Sequence, residues 1–176
     1  MKPLNAIRIS GTEVLPLVEG GKGVAITSGL ASGAWAATGG IGTFSGVNAD
    51  SYDDDGKIIR QIYHAKTRRA RHEELIEYAI SGGVTQAKVA HETRKGQGLL
   101  NVNVLWEMGG AERVLAGILE GAKGLVNGVT CGAGMPYRLA ELAAKYQVDY
   151  YPIISSARAF RALWKRAYHK FADRLG

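Results

Sequence analysis

Short apolar runs alternate with helical stretches along most of the chain, with glycine-rich turns between them, and this alternation constrains the fold more than any other feature. Residues 23–27 (GVAIT) lie among glycines and read as a buried strand. Residues 30–38 (LASGAWAAT) are alanine-rich and helical in pattern, with Ser28 or Ser32 as N-cap and Gly39-Gly40 as the stop. Residues 41–44 (IGTF) form a second strand, followed by a polar loop with Asp55-Gly56 near its tip. A helix with a charged outer face is expected over residues 66–80, broken at Gly82-Gly83 and followed by a shorter helix over 84–94. Residues 99–105 (LLNVNVL) are the clearest strand, and 111–120 a helix. Residues 124–130 (GLVNGVT) read as a fourth strand, weakened by the central Asn-Gly, and 136–146 as a helix with proline in its first turn. Residues 148–154 (VDYYPII) make a fifth strand, whose Pro152 argues against a central place. The last helix, 156–175, carries Phe160, Leu163, Trp164, Ala167 and Phe171 on one stripe. Arg158, Arg161, Lys165, Lys170 and Arg174 lie opposite.

Strand followed by helix, five times, means an α/β fold with a parallel sheet, in one domain over residues 1–176. The pattern leaves two architectures open. An open doubly wound sheet would be complete at 176 residues, whereas a closed (β/α)8 barrel usually takes about 250.

Composition narrows the class. The single cysteine, Cys131, excludes an internal disulfide framework and a multi-cysteine zinc site. His64, His72, His91 and His169 have no metal-ligand spacing. No apolar run reaches the ~18 residues of a spanning helix, and the N-terminus lacks a signal-peptide stretch. A soluble, cytoplasmic protein without a membrane partner is expected. The net charge of +6 collects in residues 66–71 and in the last helix, where it reads as a solvated face. With no zinc finger, RNP motif or long basic tract, nucleic acid is not an expected partner.

In either architecture ligands meet residues just past the carboxyl ends of the strands. That places Ile26, Thr27, Ser28, residues 42–45, residues 103–106, Thr130, Cys131, Ser155 and Ser156 at the candidate site. Several are small and hydroxyl-bearing, as suits a flat heterocycle lying against backbone amides. Thr27 and Ser28 have an alternative role as helix caps. Asn103, inside an apolar run, either bonds neighbouring backbone or faces a polar ligand, because a buried amide without partners costs roughly 1–3 kcal/mol. Cys131 reads more readily as a small buried hydrophobe than as a nucleophile. The segment Gly132-Ala133-Gly134 lacks the third glycine of a dinucleotide loop, and no Walker sequence is present.

The stretch LPLVEGGKGVAITSGLASGAWAATGGIGTFSGVNAD (residues 15–50) resembles the start of the nitronate monooxygenase family, also called 2-nitropropane dioxygenases. The stretches NVNVLWEMGGAE, GLVNGVTCGAGMPYRLAE and YYPIISSARAFRALWKRA are similar to its third, fourth and fifth βα units. The resemblance spans about residues 14–175. It implies an FMN-dependent (β/α)8 barrel that oxidises nitronates or nitroalkanes with dioxygen. The chain would supply the first five units of that TIM-type barrel and end before it closes. By the resemblance, Ile26, Thr27, Ser28, Asn103, Thr130, Cys131, Ser155 and Ser156 contact the flavin. The usual Ala-Pro-Met at residues 26–28 is replaced, which favours backbone over side-chain roles there. The family's catalytic histidine and FMN phosphate site belong to units six to eight, beyond Gly176. A related flavin barrel such as an enoyl reductase, and a non-catalytic half-barrel that associates through its open edge, remain alternatives. An incomplete barrel also predicts that Trp164 or Phe171 is more exposed than its helical pattern implies.

Overall fold

A computed structural model describes residues 4–172. The chain opens with a short hairpin of β1 (Ile7–Ile9) and β2 (Thr12–Val14). Next come α1 (Gly29–Ala37) and β3 (Ile41–Ser45). A second hairpin, β4 (Ser51–Tyr52) with β5 (Ile58–Ile59), leads into the long helix α2 (Arg68–Thr93). The remainder alternates as β6 (Leu99–Leu105), α3 (Ala111–Gly121), β7 (Gly128–Gly132), α4 (Leu139–Tyr146), β8 (Asp149–Pro152) and α5 (Ala157–Arg166).

β3, β6, β7 and β8 form one four-stranded parallel sheet whose spatial order is the chain order. The helices stand on one face of it. Ala36 of α1, Ile76 of α2, Leu115 of α3, Leu139 of α4 and Leu163 of α5 share one core with Phe44, Leu100, Val102, Val104, Val129 and Cys131 of the strands. Period-two alternation does this sorting. On β6, Leu100, Val102 and Val104 turn to the helices, which leaves Asn101 and Asn103 on the other face. Parallel register aligns the helix-free face in rows: Thr43, Asn101, Gly128, Asp149, then Ser45, Asn103, Thr130, Tyr151. A doubly wound sheet carries helices on both faces and a switch in strand order. This sheet does neither. The mixed α/β class with a parallel sheet is therefore as expected.

Several expected elements differ. Residues 23–27 do not form a strand; they make turns, and the edge of β3 is instead met by a single bridge from Val18 to Ile41. The physical reason lies in the local conformation and packing. Ala25 adopts φ +55°, which no strand allows, and the backbone of Gly21 lies so close that a Cβ there would meet Thr43 Cγ2 at 2.8 Å. Farther along, β3 is capped at its edge by side chain and loop. Glu19 Oε2 accepts from the Thr43 N–H at 2.9 Å, and the Thr27 carbonyl accepts from the Ser45 N–H at 2.8 Å.

Gly82-Gly83 does not break a helix, because α2 runs unbroken through it. Each glycine costs roughly 1 kcal/mol against alanine in a helix, and close packing offsets it. Gly82 lies against the Ala49 carbonyl and Gly83 against the Ile118 side chain, where a Cβ has no room. The fourth strand starts at Gly128 instead of residue 124, since Gly124 has φ +79° and the Asn127 side chain accepts from the Leu100 N–H. The helix expected from residue 136 starts at Leu139. The last α-helix stops at Arg166 and passes into a 3-10 turn, Tyr168–Lys170; its expected end at Leu175 lies outside the described residues. Of the two residues expected to be unusually exposed, Trp164 is 44% exposed, whereas Phe171 packs partly against the core. Among the described residues β8 pairs on one side only.

Candidate functional site

The carboxyl ends of β3, β6, β7 and β8 lie side by side, so register decides which of the expected residues meet. Asn103 and Thr130 are direct register partners on the helix-free face, with Ser45 on one side and Tyr151 on the other. Thr43 and Asn101 form the next row toward the amino ends. Thr43 is fully buried, and its hydroxyl Oγ1 has no hydrogen-bond partner. Asn101 and Asn103 are each 3% exposed, and neither makes a side-chain hydrogen bond among the described residues. Asn103 thus does not bond neighbouring backbone, which was one of its two expected roles. Leaving one such group unmet costs roughly 1–3 kcal/mol, and here several cluster.

The remaining expected residues are placed differently. Thr27 is buried, but its Oγ1 accepts from the Lys22 N–H at 3.2 Å, so the hydroxyl closes its own loop. Ser28 caps α1 by accepting from the Ala31 N–H, and Ser156 caps α5 by accepting from the Ala159 N–H. Ile26 is 68% exposed, and Ser155 is exposed beside Ser156. Cys131 points away from these residues into the helix-side core, where burial pushes its thiol up to about 12. A thiol so held stays protonated at neutral pH, which agrees with a small buried hydrophobe and not with a nucleophile.

The histidines stand apart from the row. His64 is exposed on the connection before α2, and His91 lies near the C-terminus of α2, beside Arg94. His169 contacts the Trp164 carbonyl at 2.7 Å. His72 reaches the carboxyl side of the sheet, against Gly109 in the loop after β6. No group of three or more metal-ligating side chains occurs among the described residues.

Sequence reasoning missed three polar residues that shape the site. Asn101 sits two residues before Asn103 and so shares its face; the alternation that marked one marks both. Gln86, 2% exposed, accepts from the Gly29 N–H and donates to the Asp50 carbonyl, both at 2.6 Å. It thereby ties the start of α1 to the loop after β3. Its signal was a lone amide among Gly82, Gly83, Ala87 and Ala90 on the inner side of a helix. Glu19 stands in for a missing strand partner of β3, and no periodicity marks it.

A flavin ring was expected here. Amide and hydroxyl groups without internal partners on one flat face suit the carbonyl and nitrogen edge of such a ring. The backbone of Gly21 rests on Asn103 and Thr43, however, so a ring reaches Asn103 only when the loop of residues 20–27 moves aside. A cavity of about 490 Å³ is at the opposite end of the sheet, lined by Leu119, Val126, Tyr146 and Asp149 and bordered by Ser10 and Thr12. In parallel βα folds that end serves stability, so the polar row is the better candidate.

No helix among the described residues is long and apolar enough to cross a membrane. No protein-family model matches the chain, and a comparison with curated proteins finds no match.

Proposed function

We propose that the chain forms the ring-side wall of an FMN-dependent oxidoreductase of the nitronate monooxygenase type, as an arc of a larger (β/α)8 barrel. The observation that carries this reading is the row of Thr43, Asn101 and Asn103: buried polar side chains, without internal partners, on the one sheet face the helices leave free. Sequential strand order with all helices on one side supports the arc. The resemblance of residues 15–50 supplies the chemistry.

Flavin, when bound, takes electrons from the substrate and passes them to dioxygen. The chain's residues orient it. With the loop of residues 20–27 moved aside, the Asn103 amide would donate to a ring carbonyl or accept from a ring N–H, and the Thr130 hydroxyl, one strand over, could do either. Gln86 holds the flanking loops in place behind them. Cys131, turned to the core and protonated, takes no part. The base that would activate a neutral nitroalkane and the phosphate site belong, on this reading, to other units of the barrel.

A titration of the chain with riboflavin and with FMN, followed by quenching of flavin fluorescence, tests this. Weak binding is expected, roughly 100 μM or weaker, with the two ligands alike because only the ring is held. Asn103→Ala should weaken both about fivefold to tenfold, the worth of one hydrogen bond. FMN bound more than about tenfold tighter than riboflavin would place a phosphate site in this chain. Failure of both to bind would remove the ring wall.

A second reading has its own observation. Among the described residues β8 pairs on one side only, and Phe160 and Trp164 on the helix that follows it stack at 45% and 44% exposure. An unpaired edge flanked by apolar side chains favours pairing with βα units of another chain.

A further inference from the structure

The exposed large apolar side chains fall into groups. Leu30 and Trp35 on α1, and Phe160 and Trp164 on α5, lie at the two ends of the row of helices, where further barrel units would cover them. Ile58, Ile59, Ile62 and Tyr63 are not accounted for in this way. They are 54%, 47%, 68% and 47% exposed and fall within six consecutive residues of the connection between β3 and α2. That connection, residues 46–67, is long for a βα link and carries its own hairpin, β4 with β5.

The connection is an arm with fixed shape. β4 pairs with β5 at its outer end. The Tyr78 hydroxyl donates to the Ile59 carbonyl at 3.3 Å, the Ala65 N–H donates to Glu74 Oε1 at 2.9 Å, and Arg71 Nε donates to the Ala65 carbonyl at 2.9 Å. It therefore presents its apolar residues without the ordering cost of a floppy loop.

Charge is unevenly spread along it. Asp53, Asp54 and Asp55 occupy the hairpin tip, where Lys57 lies 3.8 Å from Asp55, and Arg60 interrupts the apolar residues. Lys66, Arg68 and Arg69 occupy the junction with α2, and among the described residues none of these three cations is in an ion pair. An acidic tip, a mainly apolar middle that also holds Arg60, and a basic end let the tip of one copy meet the basic end of another under a two-fold axis. We propose that residues 53–71 form an isologous interface with a second copy of this chain. Asp54 and Asp55 of each protomer lie against Arg68 and Arg69 of the other, around a centre of Ile58, Ile59, Ile62 and Tyr63. β8 is at the far side of the sheet from β3, so the interface is separate from the open edge and does not depend on the flavin reading.

Sedimentation velocity on the full chain over about 1–100 μM reads the result, since that range spans interfaces of moderate affinity. A dimer is expected. The double variants R68E/R69E and D54K/D55K should each dissociate it, weakening self-association at least about tenfold by setting like charges together. Mixing the two variants should restore a dimer, because each then offers the other opposite charge at both ends. Recovery on mixing also shows that both variants are folded. The proposal is overturned by a parent chain that stays monomeric, by variants that dimerise as the parent does, or by a mixture that remains monomeric.

Discussion

The two faces of the sheet are built from alternate residues of the same strands, yet they obey different rules. The helix-side face is apolar and closed: Leu100, Val102, Val104, Val129 and Cys131 have no exposure at all, and five helices pack on them. The opposite face carries Thr43, Ser45, Asn101, Asn103 and Thr130, is partly covered by one glycine loop, and leaves polar atoms unpaired. The first face shows what holds the fold. The second is the candidate for binding, since unpaired buried polar groups cost stability that a ligand would return.

Mutations should separate the faces by size of effect. Leu100→Ala removes a fully buried side chain from the helix-side core and should cost about 2–5 kcal/mol in urea unfolding. Gly82→Ala drives a methyl into the Ala49 carbonyl and should cost about 1–3 kcal/mol, even though alanine is the better helix former. Gln86→Leu leaves the Gly29 N–H and the Asp50 carbonyl without partners, at about 1–3 kcal/mol by the same assay. On the other face, Thr43→Val should be neutral or stabilise by up to about 1 kcal/mol without ligand, because the hydroxyl it removes bonds to nothing. A loss as large as that from Leu100→Ala would erase the contrast between the faces.

The smallest effect at neutral pH comes from Cys131. Its thiol is raised from 9.0 to about 12 by burial, so the folded state favours the protonated form. The associated stability is present in full below the unfolded value near 9 and is lost as pH rises toward 12. Tyr151, raised to about 12 chiefly by burial and then by Asp149, acts in the same direction. Thermal unfolding of Cys131→Ala against the parent between about pH 8 and 11 should show the parent losing its lead as pH rises. A constant difference would mean that the thiol does not ionise on unfolding.

The helix-side face was the more legible in sequence. β6 was read at its observed bounds because its β-branched apolar run has no competing pattern. The Gly82-Gly83 break and the strand at residues 23–27 misled for one reason: glycine records what a backbone touches, and neighbours distant in sequence supply that. Gly82 is answered by Ala49 and Gly21 by Asn103, contacts that no local periodicity encodes. The buried polar face was legible where polarity interrupts an apolar strand, as at Asn103. It was obscure where a residue's direction decides, as at Cys131, which adjoins Thr130 in sequence and faces the opposite way.

The side-chain amide NMR signals of Asn101 and Asn103 test the central claim most directly. During a riboflavin titration of the whole chain, both amides should shift together with the Thr130 amide, while Val102 and Val104 on the helix side stay in place. Shifts confined to Ser10, Asn127 and Asp149 at the large cavity, or none on the helix-free face, would contradict the assignment of that face to ligand.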